Sequence, residues 1–179
     1  SSSDDNIKII HFIRHPYEII CSGVKYHKIC NEQWCINNKA NTGADGINYN
    51  FNGLTYQQKL QSLNTEDSIN FEMEGRSYNT ILDMYNCKFN DYNFCLNVKM
   101  ENIYSNLNNT CIQILNFIGF DNLQDICFDD LEIKTKDNHV TNKDKQINRY
   151  LLMFNNNNYK HFRKLFFHLN LQKYDYNFR

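Results

Sequence analysis

The residues whose types and spacing suit chemistry stand near the start of the chain. Arg14 follows the nearly continuous apolar run Ile7-Lys8-Ile9-Ile10-His11-Phe12-Ile13, and Pro16, a residue suited to the first turn of a helix, comes two positions later. A strand end that feeds an arginine and then a helix sets a fixed cation beside the orphan amides of a helix N-terminus, which suits a phosphate or sulfate. The same guanidinium suits a neighbouring carboxylate or an aromatic face equally well, so the pattern by itself leaves all of these partners open. His27, Cys30 and Cys35 come closest to a metal-ligand spacing, but they include no CxxC pair and no second pair follows, so no metal is expected. His11 lies inside the apolar run and reads as a packed residue rather than a base.

The elements that must hold these residues follow from periodicity. An unbroken apolar run over 7–13 predicts a parallel strand buried on both faces, as in α/β proteins. Tyr17, Ile20, Cys21 and Val24 then recur at helical spacing. From Lys28 to Gly53 the periodicity fails and four of the six glycines fall between Gly23 and Gly53, so this stretch reads as a long surface excursion anchored by Trp34. Thr55 is an N-cap for a short helix carrying Tyr56, Leu60 and Leu63, and a second helix runs from about Glu66 to Tyr85, interrupted near Gly75. Residues 93–100 read as a second strand, followed by a helix carrying Leu107, Cys111, Ile114, Leu115 and Ile118 that Gly119 closes. Phe128 to Asn142 is polar and aperiodic. Two last helices carry Ile147, Tyr150, Leu151 and Phe154, then Phe162, Leu165, Phe166 and Leu169, and the Asn155–Asn158 tract between them reads as a loop. The order is that of an α/β chain, read as one domain over 1–179.

Composition narrows the function classes. Nineteen basic against 20 acidic residues leave a formal charge of -1, which removes the broad attraction that non-specific nucleic-acid binders use, so no nucleic-acid partner is expected and any anion site is local. Twelve Tyr and 13 Phe among 179 residues set the Asn-rich chain apart from disordered sequences. The excess of Asn, Tyr, Phe, Ile and Lys fits a genome poor in G and C. Seven cysteines, an odd number, form no disulfide framework. Cys21 and Cys111 fall on apolar helix faces and Cys95 in a strand, as free thiols of a reducing compartment would, and the cytoplasm is the expected location. No apolar run is long enough to span a membrane. Only six polar residues precede the first strand, and this abrupt start reads as the back portion of a longer chain, with an upstream anchor and the secretory pathway as the other location.

Arg14-x-Pro16-x5-Ser22 at a strand-to-helix turn resembles the segment by which sulfotransferases hold the 3′-phosphate of their donor, 3′-phosphoadenosine 5′-phosphosulfate (PAPS). Ser22-Gly-Val-Lys-Tyr-His-Lys with Asn31-Glu-Gln-Trp34 looks like the "SGxxYH…EKW" continuation in a bacterial and viral branch of that family. Gly53-Leu-Thr-Tyr-Gln-Gln-Lys-Leu-Gln-Ser-Leu63 and Ile69-Asn-Phe-Glu-Met73 resemble further segments of the branch. Val98-Lys-Met-Glu-Asn-Ile103 stands where the family has a "KYEDL"-like motif, Ile112 to Gly119 is similar to the following "IxxFLG" helix end, and His139-Val-Thr-Asn-Lys143 resembles the start of the C-terminal 3′-phosphate loop. Met100 replaces the Tyr of "YEDL", and His139 to Arg149 has neither the Gly nor the Trp of "RKGxxGxW". The Gly-containing phosphosulfate loop and the general base that the family carries upstream of the Arg strand have no counterpart in these 179 residues.

The resemblance implies a helix-rich, three-layer α/β/α fold with a central parallel sheet, of the P-loop nucleoside-triphosphate-hydrolase type. It implies PAPS as co-substrate and transfer of a sulfuryl group to a hydroxyl or amine of a small molecule or glycan. Arg14 would clamp the donor's 3′-phosphate and Ser22 would donate to it, with Lys143 and Lys145, and less directly Arg149, as further cations. Lys28 to Gly53 and Met73 to Tyr85 would cover the acceptor. A non-catalytic nucleotide-binding or protein-interaction module on the same fold is the alternative, with the rings near Tyr150 and Phe162 as its interface.

Overall fold

The computed structural model describes residues 7–38, 40–42, 48–89, 92–120 and 150–178. In chain order these form strand β1 (Ile9–Ile13), helices α1 (Pro16–His27) and α2 (Gln33–Asn37), strands β2 (Ala40–Thr42) and β3 (Asn48–Asn50), and helices α3 (Tyr56–Ser62), α4 (Thr65–Glu74) and α5 (Arg76–Tyr85). Then come β4 (Cys95–Lys99), α6 (Met100–Ser105), α7 (Leu107–Ile118), α8 (Tyr150–Met153), α9 (Asn156–Leu165) and a 3-10 turn over Leu171–Tyr174. Among the described residues the chain is helix-rich with a two-stranded parallel sheet, an α/β arrangement, and β2 and β3 form a separate antiparallel pair. It divides into two compact units, residues 7–14 with 87–120 and residues 15–86 with 150–178.

In the first unit β1 and β4 run parallel, with Ile9 opposite Cys95 and Ile13 opposite Lys99. His11 faces Asn97 across the pair, its Nδ1 2.9 Å from Asn97 Oδ1, as a packed residue. Burial on both faces is not what β1 shows. Ile13 is buried, Ile9, Ile10 and His11 are half-buried, and Phe12 is 51% exposed. Both α6 and α7 pack on β4, so among the described residues β1 has one strand neighbour and little other cover. α7 ends as expected at Gly119, whose φ of 97° lets its amide reach the carbonyls of Leu115 and Asn116.

The second unit is built on α1. Tyr17, Ile20, Cys21 and Val24, the expected stripe, are all buried, and α1 packs against α3, α4, α5 and α8. The Tyr17 ring lies 4.7 to 5.2 Å from those of Phe162, Phe154, Tyr159 and Tyr150, so the rings near Tyr150 and Phe162 are core. α3 begins at Thr55 with a capping box to Gln58, and the Glu66–Tyr85 segment breaks at Gly75 into α4 and α5.

Two expectations are corrected here. The stretch from Lys28 to Gly53 is not merely a surface excursion, because Cys30, Cys35 and Phe51 are buried with Tyr56 and Leu60 in one cluster. Its carbonyls are taken up by α3, with Gln57 Nε2 donating to Cys30 O and Gln61 Nε2 to Lys28 O, each at 2.6 Å. Nor is the Asn155–Asn158 tract a loop. Asn155 caps α9, accepting from the amides of Asn157 and Asn158, and Asn158 is fully buried, its Nδ2 donating to Asn70 Oδ1 at 2.8 Å and Glu66 O at 3.1 Å. A run of Asn supplies caps and buried amide donors as readily as it supplies a loop.

Candidate functional site

Arg14 directly follows β1 and is half-buried; Ser22 is half-buried in the middle of α1. Lys143, Lys145 and Arg149 lie outside the described residues, as do Cys127, Ile147 and the 128–142 segment. The expectation of orphan amides at the α1 N-terminus is corrected. Pro16 has no N–H, the Tyr17 amide donates to His15 Nδ1 at 3.2 Å, and the amides of Glu18 and Ile19 donate to His15 O. The His15 imidazole is buried, stacks on Tyr150 and has its Nε2 3.2 Å from Asn177 O. Glu18, in the first turn, is 3% exposed and accepts from the Tyr150 amide, so this helix end is occupied by the chain itself and by a carboxylate.

The chemically dense place in the second unit is Glu72. Its side chain is 1% exposed, and a carboxylate taken out of water costs several kcal/mol unless donors surround it. Three do. Tyr56 OH donates to Oε2 at 2.8 Å, His27 Nδ1 to the same oxygen at 2.8 Å, and Ser77 Oγ to Oε1 at 2.9 Å. Burial first and the Glu72 charge second hold the Tyr56 phenol well above its usual range, so it stays a donor. Gly75 offers α5 no side-chain cap, and the first turn of that helix meets the carboxylate through Ser77. Gly23 makes the room, since a Cβ there would run into Glu72 Oε1.

Around this carboxylate the aromatic residues fix one another. Trp34 Nε1 donates to Glu32 Oε2 and Tyr26 OH to Glu32 Oε1, a bond that pushes the Tyr26 phenol up to about 12. The Arg76 guanidinium lies 4.1 Å from the Trp34 ring centroid. His27, Glu72, Trp34, Arg76, Ser77 and Asp83 line part of a cleft of about 370 Å³, to which α1 contributes one face through Ile19, Gly23 and His27. Gly23, Tyr26, His27, Glu32, Trp34, Tyr56 and Glu72 come from four separate segments of the chain, and the fold brings them together.

His27, Cys30 and Cys35 do not act as a set. His27 Nδ1 is committed to Glu72 and Cys35 Sγ donates to the His27 carbonyl at 3.4 Å. Among the described residues no group of three or more His, Cys, Asp and Glu side chains could hold a metal ion, and no helix is long and apolar enough to cross a membrane. Glu72 was missed as a functional residue. Its sequence signal was a charge at the i+3 position from Ile69 and next to Met73, on the apolar stripe of α4. Comparison with family models, curated proteins and solved structures finds no match to this chain.

Proposed function

We propose that the chain belongs to a PAPS-dependent sulfotransferase and carries part of its donor and acceptor sites, on the three-layer α/β fold that the sequence resemblance implies. The observation that carries this reading is the convergence on Glu72. Residues of the segments 22–28, 53–63 and 69–73, on which the resemblance rests, meet through the hydrogen bonds of His27 and Tyr56 to Glu72, and Trp34 of the 31–34 segment packs edge-on against the His27 and Tyr56 rings.

The resemblance gives Arg14 and Ser22 to the donor's 3′-phosphate, without the first amides of α1, which His15 takes up. Both side chains are half-buried, and one guanidinium and one hydroxyl suit a single phosphate better than a polyanion, in keeping with the net charge of -1. The bound nucleotide supplies the sulfuryl group. The chain's own residues bind and orient, and the cleft beside Trp34 and Arg76 receives the acceptor.

The test is transfer of radiolabelled sulfuryl from PAPS to a panel of hydroxyl and amine acceptors by the full chain. Labelled product that disappears in Arg14→Ala supports the reading. Transfer that Arg14→Ala leaves unchanged, or no binding of adenosine 3′,5′-bisphosphate by the chain, contradicts it, and nucleotide binding without any transfer favours the non-catalytic nucleotide-binding module.

A further inference from the structure

Two of the buried residues gathered around Tyr56 and Leu60 are free thiols, Cys30 and Cys35, and they meet in space. Each side chain is the other's hydrogen-bond neighbour, and Cys35 Sγ also lies 3.4 Å from the His27 carbonyl oxygen. The backbone at both is fixed. The Cys30 amide donates to Tyr26 O at 2.8 Å, the Cys30 carbonyl accepts from Gln57 Nε2 at 2.6 Å, and the Cys35 amide donates to Glu32 O at 2.9 Å. Cys35 is fully buried, and burial first, then the Cys30 thiol beside it, hold its proton in place well above the usual thiol range. Cys30 keeps 7% of its exposure, so of the two it is the one a small reagent reaches. The turn between them carries Glu32 and Trp34, the one tryptophan of the chain, which lines the cleft and faces the Arg76 guanidinium.

We propose that Cys30 and Cys35 are a redox site that closes to a disulfide under a peroxide and shifts Trp34 at the cleft as it closes. Cys30 reacts first. Its sulfur bonds to one peroxide oxygen, the O–O bond takes the two electrons that the sulfur gives up and breaks, and water leaves, so that Cys30 becomes a sulfenic acid. The Cys35 sulfur then bonds to the Cys30 sulfur, the Cys30 sulfur–oxygen bond breaks, and the departing hydroxyl takes the Cys35 proton and leaves as a second water. Two thiols and one hydrogen peroxide thus give one disulfide and two waters. The anchored backbone keeps the second thiol in reach of the sulfenic acid before further oxidation. Closure draws the sulfurs from hydrogen-bond separation to about 2.05 Å. It takes the Cys35 donor from the His27 carbonyl and tightens the 31–34 turn, whose Glu32 accepts from both Trp34 and Tyr26. The site lies wholly within the second unit and stands whether or not the chain transfers sulfuryl groups.

The test takes the full chain, reduced beforehand, through hydrogen peroxide, catalase, alkylation in urea and tryptic digestion. Cys30 and Cys35 fall on one tryptic peptide, residues 29–39, with no other cysteine. That peptide should carry no alkylation and weigh two hydrogens less than the dithiol, and dithiothreitol before alkylation should restore both modified thiols. Emission from Trp34, the chain's one tryptophan, should fall as the disulfide forms and recover on reduction. In Cys35→Ser, dimedone should label a sulfenic acid on Cys30. The peptide measurement needs no substitution, so it decides even where Cys35→Ser does not fold. A 29–39 peptide that keeps both alkylations, a Cys30 joined to a different cysteine, or a Cys30 carried on to sulfinic acid overturns the redox site. A disulfide that forms without any change in Trp34 emission overturns its link to the cleft.

Discussion

A buried carboxylate sets terms for each residue around it. Tyr56→Phe removes one of three donors to Glu72 and should cost about 1.5–3 kcal/mol in urea unfolding, the range for a hydrogen bond to a charged group. Gly23→Ala forces a Cβ onto Oε1 and should destabilise by about 1–3 kcal/mol, read by the same unfolding measurement. The same tyrosine gives a pH dependence. Burial first, and for Tyr56 the Glu72 charge next, raise the phenols of Tyr17, Tyr56 and Tyr85 above their unfolded value near ~10. The folded chain therefore keeps protons that the unfolded chain releases, so this stabilisation is complete below about pH 10 and is lost as pH rises through the folded values. Stability measured across the alkaline range should fall for the wild type and fall less steeply for Tyr56→Phe. None of this was legible beforehand, because a Glu on an apolar stripe announces a buried charge without naming its partners, and His27 and Tyr56 lie 45 and 16 residues away from it.

Elements were legible where their signals are local. The Thr55 cap, the break at Gly75, the stripe of α1 and the αL close at Gly119 are each written within one or two turns of chain. Thr55→Ala should cost about 1 kcal/mol through α3, and Asn158→Ala, which strands Asn70 Oδ1 and Glu66 O, about 1–3 kcal/mol, both read by denaturant unfolding. What was not legible depends on distant partners. The 28–53 stretch has no period of its own, and Gln57, Gln61 and the Tyr56 amide hold the carbonyls of its residues Cys30, Lys28 and Asn38. The Asn tract looks the same in sequence whether it caps a helix or crosses a turn. The apolar run of β1 correctly announced a parallel strand but could not report how much of it neighbours would cover.

For the whole molecule the near-zero charge removes the broad attraction that a polyanion would need, and the described residues fall into two compact units. The first presents Arg14 at the end of β1; the second holds Ser22 on the same helix as Gly23 and His27. A chain that uses a single nucleotide phosphate should bind without the steep salt dependence of a nucleic-acid protein. The measurement that bears most directly on the sulfotransferase reading is calorimetric titration of the full chain with adenosine 3′,5′-bisphosphate, repeated with Arg14→Ala and Ser22→Ala. Saturable one-to-one binding, weakened by about 1.5–3 kcal/mol when the guanidinium is removed and by about 0.5–1.5 kcal/mol when the hydroxyl is, is the predicted result. No heat of binding at millimolar nucleotide, or binding that neither substitution changes, would contradict it.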